Sequence, residues 1–309
     1  MNEPPYPFVF SADSPMMTIY RTLERIRETP TTVLIEGESG TGKDVLAQWL
    51  HHNGPRKDGP CMKIDFSSLP EELVESELFG YERGAFTGAV SSKLGKLDLA
   101  QGGTAILDEI ANVDLTVQAK LLNVVEAKQF YRLGGNKFIE LDARIVALSS
   151  IPLAHAVERR IFRQDLFFRL NLITVRVPPL RERRNEIFEM AGFLLAQVAR
   201  KYKLTAKLND GCRGLFEQYE FPGNIRELRN ALERAILMAP SQEITPETLP
   251  AAWYSPAASA SKLPTLEDVE KKYIAEVLRQ TRGKKVKAAK ILGISRKTLL
   301  EKRKKYGLE

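Results

Sequence analysis

The chain has 309 residues, 43% hydrophobic and 28% charged, enough for one large core with small appendages and too apolar for a disordered chain. Its two cysteines, Cys61 and Cys212, have no metal-like spacing, which fits a reduced compartment and excludes a disulfide scaffold. No basic-then-apolar leader opens the sequence and no apolar run approaches membrane length, so a soluble, cytoplasmic protein with no membrane partner is expected.

Ser14-Pro15 followed by Met16–Leu23 reads as an N-cap, a proline at the first helical position and an amphipathic helix. Thr31–Ile35 is a short β-branched run, the pattern of a buried strand. Next come Gly37, Glu38, Ser39, Gly40, Thr41, Gly42, Lys43 and Asp44, then the helical pattern Val45–Leu50. Strand, glycine-rich turn, lysine and helix are the context of a Walker A loop. Its backbone N–H groups and the helix N-terminus can face phosphate oxygens, with Lys43 reaching the β- and γ-phosphates. Asp44 stands where Ser or Thr is usual, so no hydroxyl is available there for Mg²⁺.

Further along, Gly84-Ala85-Phe86-Thr87-Gly88-Ala89 brackets an exposed-looking Phe-Thr pair with small residues that permit sharp turns. Gly102–Glu109 then supplies a turn, an apolar strand and two carboxylates at its end, a Walker B element. In such an element Asp108 is the metal ligand and Glu109 polarises the attacking water.

The strings GESGTGK, ESELFG, GAFTGA, GGTAILDE and Phe162–Arg184 occur in one order and closely resemble the AAA+ domain of NtrC-type enhancer-binding proteins, the activators of sigma-54 RNA polymerase. The resemblance covers roughly Phe8 to Pro250. It implies an α/β fold, an AAA+ P-loop NTPase core with a parallel sheet, and a helical lid. It also implies ATP and Mg²⁺ as cofactors, and Gly84 to Ala89 as the loop raised against the sigma factor, with Phe86 and Thr87 making the contact. The segment Phe162–Leu170 matches the family's arginine-finger region, with Arg163 and Arg169 as candidates. A guanidinium from a neighbouring subunit accelerates phosphoryl transfer on the order of 10³ to 10⁵ where measured, so activity would require a ring. Tyr219–Leu228 resembles the sensor II segment, with Phe221 where Trp is usual and Arg226 reading the phosphates.

Two further positions depart from the family. Asp65, in Met62–Ser67, replaces the Asn that holds the catalytic Glu in a waiting state. Ionised Asp cannot donate to ionised Glu109, and neighbouring carboxylates tend to share a proton or a cation. Ser150, ending Arg144–Ser150, stands where the family has Asn or His and is shorter. Hydrolysis is expected to survive but to be slow or differently gated.

Alternating strands and helices are expected to about Arg176. Val177–Leu180 breaks the pattern, and helices only follow, at about Arg184–Lys201, Asn209–Tyr219 and Gly223–Ala239. The expected domains are an α/β core at 8–178, a lid at 179–254, a small-residue linker at 255–264 and a DNA-binding domain at 265–309. The chain carries 46 basic and 39 acidic residues, and from Gly283 onward ten are basic and two acidic, so the whole net charge of +7 sits in the tail. A basic tail on a neutral body points to a polyanion.

The apolar stripe Leu266, Val269, Tyr273, Ile274, Val277 and Leu278 precedes Ala288–Leu292, a Gly293 turn, and a basic helix capped by Ser295. This is a small all-α helix-turn-helix pattern, and Leu263–Leu308 resembles the Fis-type domain usual in the family. Ser295, Arg296, Lys297 and Thr298 would meet base edges of double-stranded DNA, and Lys302, Lys304 and Lys305 its phosphates. Arg303 breaks the apolar register after Leu299, and Glu301 would repel phosphate.

These readings lead to an ATP-dependent activator that binds DNA as a dimer, assembles as a homo-oligomeric, hexameric ring, and remodels the sigma-54 holoenzyme. The rival is a DNA-binding regulator in which ATP sets assembly and hydrolysis is weak or absent. No receiver or sensing pattern precedes Phe8, so either the chain is shortened or a regulatory protein controls it in trans.

Overall fold

Ser14 and Pro15 open the first helix as the sequence predicts. Ser14 Oγ accepts a hydrogen bond from Met16 N at 3.0 Å, and Pro15 occupies the first turn, where an N–H would have no helical acceptor. The computed structural model describes residues 14–238 and 243–254, then 270, 271, 273–275, 277, 278, 281 and 285–306. Phe8, Ala239, the expected linker 255–264, Leu266, Val269 and Leu308 lie outside the described residues. The chain divides into two compact units, 1–254 and 255–309.

The first unit begins with α1 (Pro15–Ile26), β1 (Val33–Glu36), α2 (Lys43–His52), β2 (Cys61–Asp65) and α3 (Glu71–Phe79). A hairpin of β3 (Gly80–Tyr81) and β4 (Lys93–Leu94) follows, then α4 (Lys96–Leu99), β5 (Thr104–Asp108) and α5 (Leu115–Glu126). A second hairpin, β6 (Gln129–Phe130) and β7 (Ile139–Glu140), leads to β8 (Arg144–Ser149), α6 (Leu153–Glu158), α7 (Gln164–Leu170) and β9 (Ile173–Arg176). Five strands form one parallel sheet in the order β2-β5-β8-β1-β9. Because β1 lies between β8 and β9, the chain leaves it on one side and returns on the other. Sheets of this kind hold ligands outside the carboxyl ends of the strands, where the order reverses.

Strand alternation sends side chains to both faces. Val33, Ile35, Val146, Leu148 and Val175 pack with Met16, Leu23, Leu46 and Leu50 from α1 and α2. Leu34, Ile145, Ala147, Ile64 and Leu107 pack with Val117, Leu121 and Leu166 on the opposite face. Helices therefore cover both sides, and each fully buried Leu or Ile contributes roughly 1.5–3 kcal/mol.

After β9 the chain forms α8 (Arg184–Tyr202), β10 (Lys207–Leu208), α9 (Cys212–Gln218), α10 (Asn224–Met238) and β11 (Glu243–Ile244). The expectation of helices alone needs one correction: β10 and β11 pair in parallel. Two-residue strands are too short to leave a period in the sequence. The α9 helix starts three residues later than predicted, because Asn209 N bonds Ile244 O at 2.9 Å and Asn209 Oδ1 takes Gly211 N at 2.8 Å, which builds a turn instead. Phe221, fully buried, packs edge-on against Phe216, Tyr219 and Trp253, and Trp253 stacks on Tyr219 at 5.2 Å. Trp253 thus brings an indole to the aromatic cluster in which Phe221 sits.

In the second unit, helices Lys285–Leu292 and Arg296–Tyr306 are joined by Gly293 at φ +67°. Ile274, Val277, Ala288, Ala289, Leu299 and Tyr306 form its core. Tyr273, assigned by sequence to the same apolar stripe, is 57% exposed. Among the described residues no helix is long and apolar enough to cross a membrane.

Candidate functional site

The chain turns sharply out of β1, and the loop Gly37–Asp44 wraps the N-terminus of α2. Gly40 has φ +80°, and a Cβ there would lie 2.4 Å from Gly223 O, so only glycine fits this close approach to the start of α10. Lys43, 6% exposed, donates from Nζ to Gly37 O at 2.6 Å and Glu38 O at 3.2 Å. Burial pushes its ammonium below the ordinary lysine range, partly offset by Glu109, Asp108 and Asp44.

Ser39–Asp44, Lys63, Asp108, Glu109 and Arg226 line one cleft of about 380 Å³. The structure therefore brings together the loop, the carboxylate pair and the lid arginine that the sequence singled out. Asp108 ends β5 beside Asp65 of β2, in register. Lys63 Nζ lies 2.7 Å from Asp108 Oδ2. Burial opposes its charge, but the hydrogen bond to Asp108 and the charges of Asp108, Asp44 and Asp65 outweigh it and raise its pKa. Lys63, which sequence reasoning missed, thus pairs with Asp108, and among the described residues no cation makes the bridge between Asp65 and Glu109 that the sequence suggests. The signal for Lys63 was position, two residues before Asp65 on an alternating strand.

Asp65 turns its carboxylate to its own loop, with Oδ1 accepting from Ser67 N at 2.9 Å and Ser67 Oγ at 2.6 Å. Glu109 is instead bonded through Oε2 to Ser150 N at 3.1 Å and Ser150 Oγ at 2.6 Å. Its Oε1 lies 3.9 Å from Lys43 Nζ. The cleft presents the carboxylates of Asp44, Asp108 and Glu109, hard oxygen donors. Among the described residues no cluster of three or more His, Cys, Asp or Glu is arranged to cage a metal. That donor set suits Mg²⁺, which binds through one or two carboxylates with water and phosphate completing its shell.

The segment from Leu180 to Arg226 is tied to the loop by a hydrogen-bond network. Arg181 makes a two-pronged pair with Glu38 at 2.8 and 2.6 Å and holds that carboxyl below the usual glutamate range, with a further contribution from Asn224. Asn224, fully buried, donates to Ser39 O at 3.0 Å and Glu38 Oε2 at 3.2 Å and accepts from Leu180 N at 2.7 Å. Arg226 donates to Ser39 Oγ at 2.8 Å, and Ile225 N to Gly40 O at 2.9 Å. Arg181 and Asn224 were not singled out by sequence. Their neighbours Leu180 and Arg226 were, but nothing local marks a contact across more than 140 residues.

Arg163 and Arg169 lie on or beside α7, outside this cleft. Arg163 pairs with Asp165 at 2.7 Å, and Arg169, 56% exposed, pairs with Glu126. The loop of Gly84–Ala89 projects between β3 and β4. Gly84, Phe86, Thr87 and Gly88 are exposed, Ala85 is half-buried and Ala89 is buried. Phe86 rests edge-on against Tyr81 at 5.0 Å.

In the second unit, Ser295 Oγ accepts from Thr298 N at 3.0 Å, the predicted cap, and Ser295, Arg296 and Lys297 are exposed. Lys302 Nζ pairs with Glu270 at 2.5 Å, and Tyr306 OH donates to the same carboxylate at 2.5 Å.

Residues 9–176 match the family described as the sigma-54 interaction domain, 181–265 the AAA+ ATPase lid domain, and 265–306 the bacterial regulatory proteins of the Fis family. The chain is 38% identical over 307 residues to the nitrogen fixation protein VnfA of Azotobacter vinelandii, covering 97% of this chain and 59% of that protein. It is 39% identical over 306 residues to the regulatory protein AtoC of Escherichia coli, covering 95% of this chain and 66% of AtoC. The crystal structure of NtrX from Brucella abortus in complex with ATP is 30% identical, with TM-score 0.74, over 98% of this chain and 70% of that one. The chain therefore spans about three fifths to two thirds of the length of these two relatives. On the cleft, the lid and the helix-turn-helix together with these matches, the chain belongs to the NtrC-type family of sigma-54 activators, with an AAA+ P-loop core, its helical lid and a Fis-type helix-turn-helix.

Proposed function

We propose that this chain is an ATP-dependent activator of sigma-54 RNA polymerase that binds double-stranded DNA through residues near its C-terminus. The observation that carries this is the convergence of Lys43, Asp108, Glu109 and Arg226 on one cleft at the carboxyl ends of a parallel sheet. The likeness to NtrX solved with ATP supports a nucleotide there.

In this reading Gly37–Asp44 cradles the phosphates, Lys43 and Arg226 contact them, and Asp108, paired here with Lys63, would hold Mg²⁺. The metal supplies charge neutralisation on the phosphate oxygens. Glu109 takes a proton from water as the water oxygen bonds the γ-phosphorus and the bond to the β-phosphate oxygen breaks, giving ADP and phosphate. Arg163 and Arg169 lie outside their own cleft, which suits donation to a neighbouring copy in a hexameric ring. Gly84–Ala89 is the sigma-contacting loop, led by Phe86 and Thr87. Ser295, Arg296, Lys297 and Thr298 read DNA in a dimer, and the protein works in the cytoplasm. The core spans 8–178, the lid 179–254, the linker 255–264 and the DNA-binding domain 265–309.

A second reading draws on Lys63 bonded to Asp108 and Ser150 bonded to Glu109. In it nucleotide sets assembly and hydrolysis is weak. ATP hydrolysis and open-complex formation with sigma-54 polymerase, each measured with Lys43→Ala and Arg163→Ala, separate the two. The activator reading expects both signals to fall to background in both variants. Open complexes with no hydrolysis above the Lys43→Ala background would support the second.

A further inference from the structure

Glu109 sits at φ +55°, a left-handed conformation that a glutamate adopts only when its surroundings hold it there. Its carboxylate is fixed by one residue of β8's end. Ser150 gives it both the backbone N–H and the hydroxyl, at 3.1 and 2.6 Å, on the single oxygen Oε2. The residue across the sheet, Asp65, is an acceptor-only carboxylate already bonded to Ser67. The donor that restrains Glu109 therefore comes from β8 rather than from β2.

Ser150 is also one residue from the cradle. Ser149 pairs with Glu36 in register, and Ser149 O accepts from Gly37 N, the first amide of the loop, at 3.1 Å. Lys43, the other group beside Glu109, is bonded to Gly37 O and Glu38 O. Both neighbours of the Glu109 carboxylate thus belong to, or adjoin, the loop that would receive phosphate.

We propose that Ser150 is the positioning residue that holds Glu109 away from water and releases it when a γ-phosphate enters the cleft. The inference rests on the hydrolytic reading above. A hydroxyl carries one hydrogen and donates to one acceptor at a time. A phosphate oxygen that takes the Ser150 hydroxyl removes the 2.6 Å bond from Glu109, and Lys43, turning to the same phosphate, leaves Oε1. One exchange of acceptors then frees Oε1 and leaves Oε2 held by the Ser150 backbone N–H alone, the longer of its two bonds. ADP has no γ-phosphate and makes no such exchange, so hydrolysis switches off after one turnover until the nucleotide is replaced.

The test uses the full chain with Ser150→Ala, Ser150→Thr and Ser150→Cys, measuring kcat and KM for ATP and open complexes formed per ATP hydrolysed. The expected result for Ser150→Ala is a kcat raised about tenfold, the scale of one hydrogen bond to a charged group. KM should stay within about twofold, and open complexes per ATP should fall. Ser150→Thr keeps the hydroxyl and should restore wild-type coupling, with Ser150→Cys, a weak donor, between them. An unchanged or lower kcat in Ser150→Ala with wild-type KM overturns the proposal while leaving the ATPase reading intact. A folded wild type that hydrolyses no faster than Lys43→Ala overturns both. Should Ser150→Ala fail to fold, Ser150→Cys decides by the same criteria.

Discussion

Replacing Asn224 with alanine isolates the junction between the lid and the phosphate loop. Three hydrogen bonds are removed, from Leu180 N, to Ser39 O and to Glu38 Oε2. Ser39 borders the open cleft, so its carbonyl can turn to water, and Glu38 keeps both bonds from Arg181. Leu180 N faces a buried position and keeps no partner, which costs about 1–3 kcal/mol. Asn224 also has φ +51°, where alanine is disfavoured by about 1–2 kcal/mol and asparagine is tolerated. The expected loss is therefore about 2–5 kcal/mol, and Asn224→Gly should recover about 1–2 kcal/mol of it, since glycine removes only the backbone term. The chain has two tryptophans, Trp49 in α2 and Trp253 in the lid, so urea unfolding followed by Trp253 fluorescence in a Trp49→Phe background reads the lid. A loss below about 1 kcal/mol, with glycine no better than alanine, would refute the assignment of Asn224 as the buried tie.

Gly40→Ala should cut nucleotide affinity by more than tenfold in calorimetry, because its Cβ would meet Gly223 O at 2.4 Å and force the lid from the loop; unchanged affinity would refute that close approach. Thr87→Ala should retain ATP hydrolysis and DNA binding but lose open-complex formation, since Thr87 is exposed and outside the cleft. Full activation by this variant would count against the loop's role. In DNA binding, Lys304→Ala, at an exposed phosphate-facing position, should reduce the slope of log K against log salt by about 0.9, whereas Lys302→Ala should change it by less because its ammonium is paired with Glu270; equal changes would refute the distinction. Arg181 holds the Glu38 carboxyl below its ordinary value, so the stability this adds is complete above the unfolded-state pKa of about 4.3 and is lost as pH falls through the lower native value. Glu38→Gln should therefore flatten the acid limb of the urea midpoint plotted against pH, and identical limbs would refute the link.

Much of the site could be read from the chain because its chemistry is local. Gly37–Asp44, Asp108-Glu109 and Gly84–Ala89 each carry their signal within eight residues, where glycine, lysine and carboxylate spacing has a direct geometric meaning. The sheet was legible for the same reason, as β-branched runs between helical periods. What escaped depends on which distant strand ends meet. Ser150 is bonded to Glu109 across 41 residues and Asn224 to Ser39 across 185, and neither pairing follows from residue type. The sequence marked Ser150 only as shorter than the Asn or His usual there, and did not show that its hydroxyl bonds Glu109. Lys302 was assigned to phosphate by charge alone, and nothing local in the sequence shows its pairing with Glu270.

Trp253 has a mechanical consequence. Its indole Nε1 donates to Glu227 Oε1 at 3.3 Å, Tyr219 OH donates to the same oxygen at 2.8 Å, and Glu227 Oε2 takes Gly223 N at 2.8 Å. Ile225, two residues beyond Gly223, donates its N–H to Gly40 O. Tension on the chain at Tyr254 therefore enters the fold beside Trp253 and meets the phosphate loop after two short relays. Trp253, one residue from the end of the first unit, is thus joined to the phosphate loop through Glu227, Gly223 and Ile225, with the aromatic cluster around Phe221 packed against its indole.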